Sequence, residues 1–363
     1  MMSPDPLFQP LALGAIEMPN RVVMAPLTRL RANADDAPHE LQAEHYRQRA
    51  SAGLLIAEAT QVSPQGKGYA GAPGVHSDAQ VAGWKLVTDA VHQAGGRIAL
   101  QLWHVGRISH PSLQPEGGLP VAPSALQPVG RVGTYQGPQE MVTPRALDTD
   151  EIPGVIEQFR TAAVNAKAAG FDGVEIHGAN AYLLDQFLRD GTNKRTDRYG
   201  GSIENRARLL LEVTEAVAAV WGADRVGVRL SPSVNNYGMA DSTPEQTFTY
   251  AARELGRLAL AFVHVVEPSS PRGDPNDRLV DPIIVREAFG GPYIGNGSYT
   301  GERARDAIVA GRADAISFGR PFIANPDLPR RLRENLPLND WLPEFFYLGD
   351  ARGYNDYPFA EQA

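Results

Sequence analysis

Three polar side chains, His177, Asn180 and Tyr182, follow one short apolar segment with the types and spacing of a catalytic set. The preceding run Gly173–His177 is rich in β-branched residues and predicts a strand, which Gly178 ends. All three side chains then lie at or beyond the carboxyl end of that strand, where α/β folds build their sites. His177 and Asn180 can both donate a hydrogen bond to one oxygen, and Tyr182 can supply a proton nearby. The alternative is a set of loop residues that hydrogen-bond their own backbone.

The elements that must position these residues repeat along the chain. Six times a helical segment ends at a glycine and a short apolar strand follows, which is typical of αβ junctions. Eight strands are predicted: Val22–Thr28, Leu54–Ala59, Arg97–Trp103, Gly173–His177, Val226–Ser231, Ala261–Glu267, Tyr293–Gly297 and Ala315–Arg320. Eight amphipathic helices are predicted: His39–Ala52, Asp78–Ala94, Ile152–Ala169, Ile203–Val220, Pro244–Leu258, Ile283–Phe289, Gly301–Ala310 and Asp327–Asn335. Eight alternating units predict an α/β fold, a parallel (β/α)8 TIM barrel, with a doubly wound sheet as the alternative.

Two segments stand outside the repeat. Leu7–Ala12 and Ala15–Met18 flank a Leu-Gly pair and predict an N-terminal β-hairpin that plugs the bottom of the barrel. Residues 104–150, after the third strand, form a long loop rich in proline and glycine, which we interpret as a lid or substrate wall. No shift in composition marks a second domain, so residues 1–363 are expected to form one domain.

Polar residues recur where the predicted strands end. Thr28, Gln101, His177, Arg229 and Arg320 all arrive at one rim, although a barrel interior otherwise favours branched apolar side chains. A single inward arginine is usually a structural ion pair. Taken together, these residues favour a polar ligand across the barrel mouth.

The turns after strands seven and eight indicate the class of ligand. The segments 294–297 and 317–321 carry glycines and lead into helices, so their backbone N–H groups can cradle one phosphate, with Arg320 as a cation. A single phosphate site with Gln101 and Arg229 at the mouth suits a mononucleotide with a flat amide-edged ring, such as the isoalloxazine of FMN. A positive charge at Arg229 would stabilise the reduced, anionic flavin.

Composition limits the other functions. The chain of 363 residues carries a net charge of −8 without a basic block, which argues against nucleic acid or an anionic membrane as partner. Because it has no cysteine, it has no disulfide, no thiolate nucleophile and no cysteine-held iron–sulfur cluster. The first residues do not resemble a signal peptide, and no apolar run approaches the length of a membrane span. We therefore expect a cytoplasmic protein.

Seven segments together resemble the Old Yellow Enzyme family of flavin-dependent ene-reductases, along nearly the full chain. They are residues 24–31, 101–109, 174–180, 184–188, 195–202, 318–328 and 353–358. Thr28 resembles the branch of the family that carries threonine rather than cysteine at this position. Ala181 stands where many members have glycine, and the segment Gln127–Val142 does not match well.

The resemblance implies a role for individual residues. It implies non-covalent FMN, with NADPH or NADH as reductant, and an enone-type small molecule as substrate; maleimides, nitroalkenes and nitroesters are further candidates. His177 and Asn180 would bind the carbonyl or nitro oxygen, and Tyr182 would donate the proton. The implied FMN contacts are Pro26, Thr28, Ala59, Gln101, Arg229, Asn296, Gly297, Gly319 and Arg320. Tyr69, Trp103 and Tyr347 would shape the substrate pocket, with core packing as the alternative for Trp103 and Tyr347.

Two rival functions stay open at this point. A metal-dependent barrel hydrolase would need several histidines or aspartates at strand ends, where only His177 clearly qualifies; His104, His110 and His264 are interpreted as structural. A barrel that holds flavin or another ligand without turnover is the second, which Tyr182 disfavours. No metal is expected, and the protein is expected to be a monomer or a homodimer.

Overall fold

The computed structural model of the protein describes residues 5–268 and 279–361. Its strands in these ranges are β1 (Leu11–Leu13), β2 (Ile16–Met18), β3 (Val22–Met24), β4 (Leu54–Gln61), β5 (Ile98–Trp103), β6 (Val121–Ala122), β7 (Arg131–Thr134), β8 (Gly137–Glu140), β9 (Arg145–Ala146), β10 (Gly173–Gly178), β11 (Val226–Leu230), β12 (Phe262–Val266), β13 (Tyr293–Asn296) and β14 (Ala315–Phe318). The α-helices are α1 (Glu40–Gln48), α2 (Asp78–Gln93), α3 (Ile152–Ala168), α4 (Leu183–Leu188), α5 (Ile203–Trp221), α6 (Pro244–Arg257), α7 (Pro282–Phe289), α8 (Gly301–Val309), α9 (Arg320–Ala324) and α10 (Leu328–Glu334).

Eight parallel strands close into a barrel in the order β3-β4-β5-β10-β11-β12-β13-β14, with β14 paired back to β3. The predicted (β/α)8 barrel is confirmed, and the open doubly wound sheet does not occur. The first strand is shorter than predicted, because it leaves the ladder at Met24. Pro26 has no N–H to donate, and only Ala25 beyond the strand still bonds to Phe318.

The predicted N-terminal hairpin is present as the antiparallel pair β1–β2, with Leu13 opposite Ile16. Its turn requires Gly14, which has φ of +55°, and whose Cβ would lie 2.2 Å from the Asp224 carbonyl oxygen. The hairpin is buried against the amino-terminal end of the barrel, where Leu13 and Ile16 pack with Phe262 and other inward strand residues. It therefore closes the bottom and leaves the carboxyl end as the open face.

The long loop after β5 contains a hairpin, β7–β8, that the sequence did not predict. Its two central residues are Tyr135 and Gln136, which lack the glycine or asparagine that usually marks such a turn. The hairpin lies against the loop after β4, since the Ala70 amide donates to the Gly133 carbonyl at 3.1 Å. The short strands β6 and β9 pair in parallel and enclose the part of the long loop that contains this hairpin.

Candidate active site

The segment after β10 reverses direction through two consecutive left-handed residues. Asn180 has φ of +58° and Ala181 has φ of +70°, after which Tyr182 precedes the first turn of α4. This reversal turns the chain back toward the barrel mouth instead of directly into a helix. It brings the ring of Tyr182 to 5.0 Å from that of His177.

Four hydrogen bonds anchor this reversal. The Asn180 amide donates to Ser231 Oγ at 2.7 Å, and the Ala181 amide donates to Asp185 Oδ2 at 2.9 Å. Asp185 pairs with Arg189 at 2.7 Å, and Arg189 Nη2 donates to the Ser231 carbonyl at 2.6 Å. All these groups except the half-buried Asn180 are buried. The loop is therefore fixed to the end of β11 rather than free.

His177 is a buried, neutral imidazole. Burial lowers its pKa well below the ordinary value, and the charge of Arg229 and the neighbouring His264 lower it further. Its Nδ1 has no hydrogen-bond partner among the described residues. A buried ring nitrogen without a partner is costly unless a ligand satisfies it. His177 can thus serve as a preorganised hydrogen-bond donor at the rim.

Tyr182 lies in an aromatic group that fixes its ring. Trp103 meets it edge-on at 4.9 Å and His177 at 5.0 Å between ring centroids, and Tyr69 stacks on Trp103 at 5.7 Å. The Tyr182 hydroxyl lies 3.4 Å from that of Tyr69. Burial raises the pKa of Tyr182 well above that of free tyrosine, so the phenol keeps its proton. It is available as an acid, not as a base.

A cavity of about 600 Å³ opens at this face of the barrel. Six residues predicted for the site line it: Pro26, Thr28, Tyr69, Tyr182, Arg320 and Tyr347. Eight more lining residues were not predicted: Leu27, Arg29, Leu30, Gly133, Tyr237, Ile323, Phe346 and Leu348. Gly133 and Tyr237 come from the long loop and from the segment after β11, so their place depends on tertiary packing.

Nine residues predicted for the site do not line this cavity: Ala59, Gln101, Trp103, His177, Asn180, Arg229, Asn296, Gly297 and Gly319. Trp103 is fully buried and packs with Ala59 in a small apolar cluster beneath the rings of Tyr69 and Tyr182. Its indole Nε1 has no partner among the described residues. Asn180 is half-buried. The ring of Trp103 contacts both tyrosine rings and so helps to hold them in place.

Two of the residues predicted to hold the cofactor, Arg229 and Asn296, belong to a group of hydrogen bonds that links β11, β13 and β14. Arg229 Nη2 donates to Asn296 Oδ1 at 3.0 Å, and Asn296 Nδ2 donates to the Ser317 carbonyl at 3.2 Å. Gly297 follows β13 directly, and Gly319 precedes α9 without a side-chain cap on that helix.

The buried Nε of Arg229 has no partner among the described residues. A group with hydrogen-bond acceptors would satisfy it, and the two glycine turns with Arg320 suit a phosphate. The residues present thus fit an anionic mononucleotide such as FMN.

The sequence did not predict the polar interior beneath this group. Gln101 Nε2 donates to Glu175 Oε1 at 2.7 Å, and His264 Nδ1 lies 2.7 Å from Glu175 Oε2. Ser317 Oγ lies 2.7 Å from His264 Nε2. One signal was available, because Glu175 precedes His177 by two residues and so points to the same face of the strand.

Neither a metal cluster nor a spanning helix is found in the described ranges. No group of three or more histidine, aspartate or glutamate side chains there is arranged to hold a metal ion. Among the same residues, no helix is long and apolar enough to cross a membrane.

Comparisons with known proteins agree over nearly the whole chain. A model of the NADH:flavin oxidoreductase / NADH oxidase family matches residues 6–339. The 12-oxophytodienoate reductase 1 of Oryza sativa subsp. japonica is 44% identical over 361 residues, covering 98% of this chain and 94% of that protein. The solved structure of morphinone reductase is 52% identical with a TM-score of 0.93, covering 99% of this chain and 98% of the other. The old yellow enzyme homologue from Zymomonas mobilis is 49% identical with a TM-score of 0.94, covering 97% and 99%.

Proposed function

The chain belongs to the NADH:flavin oxidoreductase / NADH oxidase family, and we propose that it reduces the activated carbon–carbon double bond of α,β-unsaturated carbonyl compounds. The resemblance to the Old Yellow Enzyme family is thereby confirmed. The protein is an NAD(P)H:FMN oxidoreductase, with FMN as cofactor and a nicotinamide dinucleotide as reductant. When bound, FMN supplies the hydride that adds to the β-carbon of the substrate. Maleimides, nitroalkenes and nitroesters are further candidate substrates of the same site.

The cofactor contacts are proposed residue by residue. Gln101 and Arg229 would hydrogen-bond the amide-like edge of the flavin ring, and Thr28 would hydrogen-bond its carbonyl edge. Gly297, Gly319 and Arg320 would hold the phosphate, with Pro26, Ala59 and Asn296 completing the wall. The support is that Pro26, Thr28 and Arg320 line the cavity, and that the buried Nε of Arg229 has no partner among the described residues.

The substrate oxygen is assigned to His177 and Asn180. A neutral imidazole and an amide both donate hydrogen bonds, and both residues lie at or just beyond the end of β10. Donors fixed in place stabilise negative charge that develops on a carbonyl oxygen as the double bond is reduced. The depressed pKa of His177 keeps the ring from carrying a second positive charge next to Arg229.

Tyr182 is assigned as the proton donor to the α-carbon. The observation that carries the whole proposal is this phenol: it lines the cavity, its pKa is raised by burial, and its ring is held by Trp103 and His177. Tyr69, whose hydroxyl lies 3.4 Å away, would share a proton with it and orient it. Tyr347 would form the outer wall of the substrate pocket.

Separate measurement of the two half-reactions tests the proposal. Heating the purified protein should release FMN, and NADPH or NADH should bleach the flavin absorbance before cyclohexenone restores it. In Tyr182→Phe, which removes only the hydroxyl and nearly preserves packing, bleaching should be almost unchanged. Restoration by cyclohexenone should slow by roughly 10²–10⁴-fold, the usual effect of losing a general acid.

Three outcomes would contradict it. Equal slowing of both half-reactions in Tyr182→Phe would assign that residue a structural role. A flavin that NADPH bleaches but that no enone, maleimide or nitroester reoxidises would favour a barrel that binds ligands without turnover. Release of FAD, or of no flavin, would exclude the cofactor assignment.

A further inference from the structure

A line of buried polar side chains crosses the barrel interior directly beneath the proposed cofactor site. It runs from Gln101 on β5 through Glu175 on β10 and His264 on β12 to Ser317 on β14. Each of the three contacts is 2.7 Å long, and no member is more than 2% exposed. None of the catalytic roles assigned above uses Glu175, His264 or Ser317.

The contacts of Glu175 fit a carboxylate. Gln101 Nε2 donates an N–H to one of its oxygens, and His264 Nδ1 lies 2.7 Å from the other, so both oxygens can accept at once, as those of a carboxylate do. With Glu175 as a carboxylate, His264 carries its proton on Nδ1, and its Nε2 lies 2.7 Å from Ser317 Oγ, a hydroxyl that also lies 3.4 Å from the Gly295 carbonyl oxygen. Burial, followed by the nearby Arg229, lowers the pKa of His264, so the ring is neutral although Glu175 opposes the shift.

A buried anion without a counter-charge is strongly unfavourable, and the counter-charge here is Arg229. Arg229 on β11 is paired in register with His177 on one side and with His264 on the other. Burial lowers the pKa of Arg229, and the largest opposing contribution comes from Glu175. The interior under the cofactor site thus holds one anion and one cation that partly cancel.

We propose that Glu175 sets the reduction potential of the bound cofactor, acting through Gln101 and Arg229 as a positioning residue that does not itself touch the ring. The proposal rests on the assignment of those two residues to the cofactor. Arg229 stabilises the negative charge that the cofactor gains on reduction, and the Glu175 carboxylate weakens that effect. The carboxylate also fixes the amide of Gln101 with Nε2 toward the interior, which leaves Oε1 free to accept from a ring N–H.

Removing the charge should therefore favour the reduced cofactor. A charge within a few ångströms typically changes an ionisation equilibrium by about ten-fold or more. We expect Glu175→Gln to raise the equilibrium constant for cofactor reduction by about ten-fold, which corresponds to about 30 mV for a two-electron couple. FMN affinity should fall only slightly, because glutamine still offers one acceptor to the two donors.

Two companion variants separate charge from structure. Ser317→Ala breaks the same line of hydrogen bonds but removes no charge, so it should lower the melting temperature and leave the potential unchanged. Glu175→Asp keeps the charge and should return the potential toward that of the unchanged protein. The readouts are a redox titration of the holoprotein against a reference dye, the dissociation constant of FMN, and thermal unfolding.

The decisive comparison is between Glu175→Gln and Ser317→Ala. A potential that Glu175→Gln leaves unchanged, or that both variants shift equally, would overturn the proposal. If Glu175→Gln does not fold, Arg229→Gln is compared with the double variant Arg229→Gln/Glu175→Gln. The double variant should bind FMN more tightly, because the uncompensated anion is gone. Equal or weaker binding by the double variant, or failure of the double variant to fold while Arg229→Gln folds, would assign Glu175 a purely structural role.

Failure of the proposed function would give results that differ from failure of the proposal on Glu175. The unchanged protein would then bind no FMN, or its FMN would not be reoxidised by any activated alkene. The proposal on Glu175 fails by itself when the unchanged protein binds and reduces FMN normally and only the shift in potential is missing.

Discussion

His177 shows how one buried position sets the chemistry of a single side chain. The imidazole is almost fully buried at the end of a strand, next to a guanidinium, so its pKa falls well below the ordinary value. It therefore stays neutral across the physiological range and donates one hydrogen bond without adding charge. Tyr182 shows the opposite shift, because burial raises the pKa of a phenol and keeps it protonated.

Replacement of His177 tests its role as an oxygen ligand. His177→Ala removes one preorganised donor, so the reoxidation of reduced FMN by cyclohexenone should slow by roughly 10²–10³-fold. Bleaching by NADPH should be less affected, and a phenol ligand should bind more weakly. Stopped-flow absorbance measures both rates. Normal reoxidation by cyclohexenone in this variant would disprove the assignment.

Ala181 has a conformation that ordinarily requires glycine. Its φ is +70°, and a left-handed residue with a Cβ costs about 1–2 kcal/mol. The methyl group is fully buried, and its burial stabilises the folded state by about 0.8 kcal/mol. The strain is the larger of the two effects, which explains why the resemblance pointed to glycine at this position.

We therefore expect Ala181→Gly to stabilise the protein slightly, by up to about 1 kcal/mol. Ala179→Gly is the matched control, because Ala179 is equally buried and does not have a positive φ. That control should destabilise the protein by about 0.5–1 kcal/mol. Chemical denaturation of the two variants measures both differences, and a loss of stability in Ala181→Gly would contradict the strain argument.

At the scale of elements, the segment 194–197 attaches to two parts of the long loop after β5, one just after β6 and one just after β9. The Lys194 amide donates to Ser124 Oγ at 2.8 Å, and Arg195 donates to the carbonyls of Pro123 and Leu147. The Asp197 carboxylate accepts hydrogen bonds from the Arg195 guanidinium and from the Thr149 hydroxyl. This part of the matching motif therefore holds the wall of the site in place and contributes no group to the cavity.

The ion pair between Arg195 and Asp197 makes the attachment of the long loop sensitive to acid. The hydrogen bond from Arg195 lowers the pKa of Asp197 to about 2, below the value of about 3.9 in an unfolded chain. The stabilisation is complete above about pH 4 and is lost as the pH falls toward 2. Asp197→Asn should cost up to about 1 kcal/mol at neutral pH, because the pair is partly exposed.

The difference in the free energy of unfolding between Asp197→Asn and the unchanged protein should become smaller as the pH is lowered. Urea unfolding at pH 7, 4 and 3 measures it. A difference that does not change over this range would show that the hydrogen bonds alone, and not the charge, fasten the loop.

The elements that the sequence predicted are those with a local signal. Glycine caps followed by apolar runs predicted six of the eight barrel strands, and two more were predicted from their apolar residues. Only the first strand differed by more than a few residues, because Pro26 ends its ladder early. The hairpin β7–β8 has no glycine at the two centre positions of its turn and so left no signal. The polar line through Glu175 was missed for another reason: its members lie 53 to 89 residues apart along the chain and meet only when the barrel closes.

At the scale of the whole molecule, the carboxyl-terminal segment closes over the beginning of the chain. Arg29 donates to the carbonyls of Phe346 and Gly353, both at 2.8 Å, and Arg31 donates to that of Asp350 at 3.0 Å. These contacts join residues more than 300 positions apart. Because Phe346 lines the cavity, the closure of the fold also completes the outer wall of the site.

Tyr354 is the buried centre of this closure. Its ring stacks on His45 at 3.8 Å between centroids, and the guanidinium groups of Arg31 and Arg29 lie 4.5 and 4.9 Å from its centroid. Removing a fully buried aromatic ring typically costs about 3–5 kcal/mol, and here the two arginines would also lose their cation–π partner. The tail would then hold Phe346 and Tyr347 less firmly at the cavity.

Tyr354→Ala should accordingly lower the melting temperature and raise KM for a bulky enone together. Tyr347→Ala is the control, because Tyr347 also lines the cavity but is 61% exposed and should change KM without changing stability. Thermal unfolding and steady-state kinetics on both variants separate the two effects. If Tyr354→Ala lowers stability but leaves KM unchanged, the tail closes the fold without shaping the site. If Tyr347→Ala leaves KM unchanged as well, the substrate does not reach the outer wall of the cavity.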